Sequence, residues 1–237
     1  MAKAFSNIVT VISRLLKAAV VACLIPVVVG LLEATLAQLD LTSASGAMAQ
    51  DWIRWGFGTY VALHIILYRP VSLFRASHRM FAALAVWLFG GQVASVEASR
   101  GGGKGGKGAK AGAAPQGSAL VAFSPYVVPS YALLICVAGW VASWWWPRSL
   151  TRGPLCFLVG LAVAFHWLMT ADELQQQRER WHLETYLLAV ELIMLLTLCL
   201  VAAALPLAVP EFSFSAALSD GFIRAQELLT TVMRRLF

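Results

Sequence analysis

The chain has 237 residues, long enough for one sizeable domain. Hydrophobic residues make up 59% of it and charged residues 13%, against roughly 45–50% and roughly 25% in soluble domains. With a mean hydropathy of +0.74, this excludes a disordered tail, a coiled coil, a secreted disulfide scaffold and an ordinary cytosolic enzyme. A polytopic, all-α membrane protein is left.

The net charge of +6 comes from 18 Lys and Arg against 12 Asp and Glu. Most of these cations lie between apolar runs, where they meet lipid phosphates and set orientation; nucleic acid is not the expected partner. Cys23, Cys136, Cys156 and Cys199 each fall in a different apolar run and form no CxxC pair. They point neither to a disulfide framework nor to a thiolate metal site.

A spanning helix needs about 20 apolar residues. Runs near 18–37, 52–68, 127–146, 154–171 and 183–207 meet or approach that length, and 71–93 does so if its helix carries Arg75, His78 and Arg79 at its entrance. Six spans are therefore expected, between a cytoplasmic N-terminus (1–17) and a C-terminal segment (208–237). Lys3, Arg14 and Lys17 precede the first run, and Ala47-Met48-Ala49 follows it about a dozen residues on. That length and distance fit a retained helix better than a cleaved signal.

Alternating six crossings places eleven cations beside the termini and the second and fourth loops, and seven on the other side. Both termini are thus expected in the cytoplasm of an inner membrane. Four of the seven lie in the Gly-rich loop 100–118, whose core reads GGGKGGKGAKAGAAPQG. With no apolar side chain there larger than alanine except Pro115, it is expected to be a tether. Its Gly-Lys pairs lack the spacing and the final Ser or Thr of a phosphate-binding loop. Deleting residues 102–112 is expected to leave thermal stability nearly unchanged, since loop length alters closure entropy by only about 0.6 kcal/mol per doubling. A melting curve checks this.

Near the end, Leu218, Phe222, Ala225, Leu229, Val232, Met233 and Leu236 recur at helical spacing opposite Asp220, Arg224, Glu227 and Arg234. This predicts an amphipathic helix lying on the membrane surface. Trp52, Trp55 and Trp144-Trp145-Trp146 read as interfacial belts.

Ionisable groups inside apolar runs are costly and face a cavity or each other. Glu33, His64, His166 and Glu191 qualify; His78 stands at the mouth of the third run, and Asp172 and Glu173 lie just past the fifth. Two or three histidines with a carboxylate would make a zinc site. The plainer reading pairs Glu33 and Glu191 with His64 and His166 across helix contacts, to hold the bundle.

Phe89-Gly90-Gly91-Gln92-Val93 followed by Ser124-Pro125-Tyr126-Val127-Val128-Pro129, with Phe165-His166-Trp167 through Asp172-Glu173 beyond, resembles the site-2-protease-like integral-membrane zinc metallopeptidases over about residues 60–200. In that family an HExxH helix precedes a glycine-containing turn, and a PYxxP element opens a later helix. Gly90, Gly91, Pro125, Tyr126 and Pro129 match those elements. The motif position itself reads His78-Arg79-Met80-Phe81-Ala82. Arg79 stands where the general base belongs and stays protonated. Ala82 stands where the second histidine belongs and supplies no ligand.

The resemblance therefore implies a degenerate member that keeps the scaffold, binds another membrane protein or segment, and has no cofactor. Its rival is an active zinc enzyme with a rearranged site drawn from His64, His78, His166, Asp172 and Glu191. A third reading is a small transporter or accessory subunit using Glu33, His64, His166 and Glu191.

Overall fold

The computed structural model describes residues 2–41, 49–66, 72–77, 126–146, 148–176 and 182–236. These form α1 (Ala2–Leu41), α2 (Ala49–Ile66), a short helical piece at 72–77, α3 (Ser130–Ala142), α4 (Arg148–Gln176), α5 (Leu183–Ala208) and α6 (Phe214–Leu236). There is no strand among the described residues, and the protein is all-α as expected. The motif position 78–82, Gly90, Gly91, Pro125 and the Gly-rich loop 100–118 lie outside the described residues, as does most of the span expected at 71–93.

Among the described residues three helices are long and apolar enough to cross a membrane: Val9–Asp40 within α1, Arg152–Gln175 within α4, and Leu183–Ala208. Chain length decides this, because a crossing needs roughly 20 residues at 1.5 Å each. The expected span at 127–146 yields only the 13 residues of α3. Pro129 precedes its first turn, where a missing N–H costs nothing, and the backbone turns away after Ala142, at Ser143–Trp145. The span expected at 52–68 is the 18-residue α2, which opens on Asp51 and Arg54.

The contacts fix how the helices run. Lys17 Nζ donates to Thr185 Oγ1 at 3.0 Å, and Arg14 Nε lies 3.3 Å from Glu184 Oε1. The lower part of α1 and the start of α5 therefore share one end of the bundle. Along α2 and α4 the register advances in step: Trp52 lies on Gly153, Tyr60 on Phe165, and His64 beside Asp172. Those two helices are parallel. α3 runs against α4, with Tyr126 at His166 and Gly139 at Leu155.

Strict alternation of six crossings would make α1 oppose α5 and α2 oppose α4; the contacts make both pairs parallel. The reason lies in residues flanking the α2–α3 connection. Phe74 and Tyr131 both stack on Phe165, at centroid distances of 6.0 and 5.6 Å, and the Tyr131 hydroxyl donates to the Leu73 carbonyl at 2.9 Å. The chain leaves and rejoins the bundle at one level. At the other end, Gln50 bridges Asp40 of α1 and Arg54 of α2, and Arg152 lies 3.6 Å from Glu211.

Close helix approach rests on small residues, as membrane helices require when lipid offers no hydrophobic drive between them. On α4, Gly160 faces the Ile53 carbonyl of α2, while Gly56 of α2 faces the Phe157 carbonyl; a Cβ at either glycine would fall well inside contact. α1 and α6 use the same device. Ala217, Gly221 and Ala225, four residues apart, form the buried ridge of α6. A Cβ on Gly30 would lie 2.6 Å from the Gly221 carbonyl oxygen, and one on Gly221 would lie 2.9 Å from the Leu31 Cα.

The inward ridge of α6 is small residues, and Phe222, Ile223, Val232 and Met233 of its apolar side chains are exposed. The helix packs on α1, with its register running opposite to that of α1. Gly221→Leu is expected to free α6 from α1, seen as new protease cleavage near residue 213 with the rest of the bundle retained.

Candidate functional site

Helical spacing on α4 presents two adjacent polar faces. Phe165, Met169 and Asp172 recur at i, i+4 and i+7 toward α2; His166, Thr170 and Glu173 recur likewise toward the entry to α3. On α2, Tyr60 and His64 stand four residues apart and meet the first face.

There, His64 Nε2 lies 3.5 Å from Asp172 Oδ2, and the Tyr60 hydroxyl lies 3.5 Å from His64 Nδ1. Both distances are at the outer limit of hydrogen bonding. With its proton on Nε2 the ring turns an N–H toward the Asp172 carboxylate, and Nδ1 accepts a hydrogen bond from the Tyr60 hydroxyl. Tyr60 is 6% exposed and packs edge-on against Phe165 at 5.4 Å. The His64 and Asp172 side chains are 12% and 19% exposed, leaving the pair partly open at the end of α2 and α4.

On the second face the backbone is interrupted. Residues 126–127 are helical, 128–129 are not, and α3 begins at Ser130. A break inside a bundle frees carbonyls that must find donors. His166 Nε2–H donates to the Tyr126 carbonyl at 2.9 Å, and Thr197 Oγ1 of α5 donates to the Val127 carbonyl at 3.0 Å. The Ser130 amide closes on the Val128 carbonyl at 2.9 Å. The Tyr126 hydroxyl donates to Glu173 Oε1 at 3.4 Å. Tyr126 and Pro129, singled out in the sequence, thus sit at a joint held by α4 and α5.

The expected pairing of Glu33 and Glu191 with the two histidines is not what forms. Glu33 Oε2 lies 3.6 Å from Arg224 Nη1 of α6. The buried Glu191 Oε2 has no hydrogen-bond partner among the described residues. The reason is helix direction and register: α6, rather than α2, covers the upper part of α1. Between α1 and α6 an open groove of about 510 Å³ is lined by Glu33, Asp220, Ile223, Arg224, Glu227 and Thr231.

The structure therefore brings together His64 with Asp172, and separately His166 with Tyr126. Glu33 and Glu191 belong to neither place. Tyr60 and Thr197 were not anticipated; the i, i+4 spacing of Tyr60 and His64 was the available signal for the first, and nothing local marks the second.

Zinc needs three or more ligand atoms converging at about 2.0–2.3 Å. Among the described residues no three His, Cys, Asp or Glu side chains are grouped to hold a metal. Among the described residues His166 offers its Nε2 proton to a carbonyl and both nitrogens of His64 face protein groups; His78 lies outside them. No protein family, curated protein or solved structure matches the chain.

Proposed function

We propose that the chain is a catalytically inactive, multi-pass inner-membrane protein of metallopeptidase-like build, with both termini in the cytoplasm, that binds another membrane protein or segment without cutting it. The 2.9 Å hydrogen bond from His166 to the Tyr126 carbonyl carries the reading. It turns a candidate ligand into a clamp on a broken helix, at the element that most resembles the family's PYxxP. The motif position, with Arg79 for a base and Ala82 for a ligand, agrees with it.

A polar joint of this kind favours a fixed shape, since each freed carbonyl has one geometric solution. The groove between α1 and α6, which mixes carboxylates, Arg224 and apolar side chains, gives a partner an open polar surface. The transporter reading needs Glu33, His64, His166 and Glu191 along one path; of these, Glu33 meets Arg224, His64 meets Asp172 and His166 meets Tyr126.

Rebuilding the motif tests the reading. Arg79→Glu with Ala82→His restores two histidines one turn apart around a carboxylate, as zinc hydrolysis requires. Catalysis also needs a third ligand and oriented outer-shell partners. The best candidate for the third, Asp172, is engaged with His64. The double variant is expected to gain zinc affinity by equilibrium dialysis while cutting no membrane substrate. Proteolysis abolished again by Asp172→Ala would overturn the binding role.

A further inference from the structure

The polar side of α6 runs along the apolar stretch of α1, and part of its charge is unmatched there. Lys17 of α1 stands level with the start of α5, through Thr185. At about 1.5 Å per residue, the stretch from Lys17 to Asp40 is roughly 35 Å long, close to the roughly 30 Å of a hydrocarbon core. Glu33 therefore stands roughly 10 Å inside the end at Asp40. α6 returns along this stretch, with Gly221 against Leu31 and Ala225 against Gly30. Because α6 runs opposite to α1, Glu227 and Thr231 lie deeper still.

Charge at such a depth is costly and pairs with an opposite charge or faces a polar cavity. Glu33 Oε2 lies 3.6 Å from Arg224 Nη1, which engages the guanidinium of the groove. Asp220 and Glu227 line the same groove of about 510 Å³. Glu33, Asp220 and Glu227 against Arg224 leave two negative charges in its lining. Among the described residues no cation pairs with Asp220 or Glu227. Beside them Phe222, Ile223, Val232 and Met233 are exposed. An apolar helix laid here would cover those side chains, and a positive charge on it would meet the carboxylates.

We propose that the groove between α1 and α6 docks a membrane-spanning helix of a partner protein that carries a lysine or arginine within its apolar run, paired with Asp220 and Glu227. The proposal rests on the binding role given above and names the chemistry of the partner. A second copy of this chain fits less well. Two copies inserted in one orientation are related by an axis along the membrane normal, which sets each α6 parallel to its twin. Asp220 would then face Asp220 and Glu227 face Glu227, a like-charge match that disfavours the pair. A lipid ammonium stays at the headgroups, outside the hydrocarbon core, whereas Glu227 lies deeper than Glu33.

The test uses purified protein carrying a C-terminal fluorescent protein, in phosphatidylcholine vesicles with dye-labelled Leu-Ala peptides of about 23 residues, long enough to span. Three peptides differ only at a central position, which is lysine, leucine or glutamate. Energy transfer to the lysine peptide is expected to exceed that to the leucine peptide several-fold, with the glutamate peptide no better than leucine. In Asp220→Asn with Glu227→Gln the lysine peptide should fall to the leucine level. Equal transfer to the lysine and leucine peptides by the wild type overturns the proposal, and so does a lysine preference that survives in the double variant. Should that variant fail to accumulate, the three peptides on the wild type decide alone. Transfer between two differently tagged copies of the chain, lost in the same variant, would put a second copy in the groove and also overturn it. A failure here removes the cationic helix only, since the loss of catalysis is read separately from the rebuilt motif.

Discussion

Gly160→Leu is expected to abolish accumulation of folded protein, while Gly58→Leu on the neighbouring helix accumulates as wild type. The two glycines are one amino-acid type in two environments. A Cβ at Gly160 runs into the Ile53 carbonyl of α2; one at Gly58 meets nothing within 4 Å. Over-packing a core typically costs about 1–3 kcal/mol, and more where the obstacle is backbone that cannot change rotamer. A native margin of about 5–15 kcal/mol leaves little room for parting α2 from α4 along their length. The same displacement would separate His64 from Asp172 and Tyr60 from Phe165. Fluorescence-detected size exclusion in mild detergent reads the outcome; a monodisperse Gly160→Leu peak at wild-type yield would mean that the helices do not approach as closely as described.

The next largest effect is expected at the joint. His166→Leu keeps a side chain of similar reach but leaves the Tyr126 carbonyl without its donor in a site that is 4% exposed at residue 166. An unsatisfied buried polar group costs about 1–3 kcal/mol, and no lipid group replaces the donor. His166→Gln, which restores an N–H, should recover most of the loss. Thr197→Val, removing the donor to the Val127 carbonyl, should cost a comparable amount. Because both variants loosen the same joint, their combination should be less than additive. Thermal unfolding in one detergent measures all four. Equal stability of His166→Leu and the wild type would return His166 to the pool of free ligands.

Much of the scaffold is legible in composition. The apolar runs at 18–37, 154–171 and 183–207 fall inside α1, α4 and α5, because the length of an uninterrupted apolar stretch is itself the physical requirement for a crossing. Helix direction is not legible in this way. Hydropathy reports that a segment is apolar, not which neighbour it faces, and alternation was only the simplest way to thread six runs. The decisive contacts, Lys17 with Thr185 and Phe74 with Phe165, join residues far apart in sequence. Nor does an apolar run distinguish a glycine that permits close approach from one facing open space, so Gly160 and Gly58 read alike.

The site was legible as a set of residues and illegible as a set of pairs. A histidine or carboxylate in an apolar run stands out by cost alone; His64 and His166 were found by that rule, and Asp172 was noted just past the end of a run. Their partners depend on register. Asp172 reaches His64 because α2 and α4 are parallel, and His166 finds a carbonyl because the helix breaks before Ser130. A broken backbone advertises itself only through Pro125 and Pro129, which mark where hydrogen bonds are missing but not what replaces them.

Metal analysis of the protein purified without chelators, by inductively coupled plasma mass spectrometry, tests most directly whether the polar residues serve structure in place of catalysis. The expected result is zinc well below stoichiometry, unchanged in His64→Ala and in His78→Ala. Stoichiometric zinc that is lost on His78→Ala would contradict the inactive reading and favour an active zinc enzyme.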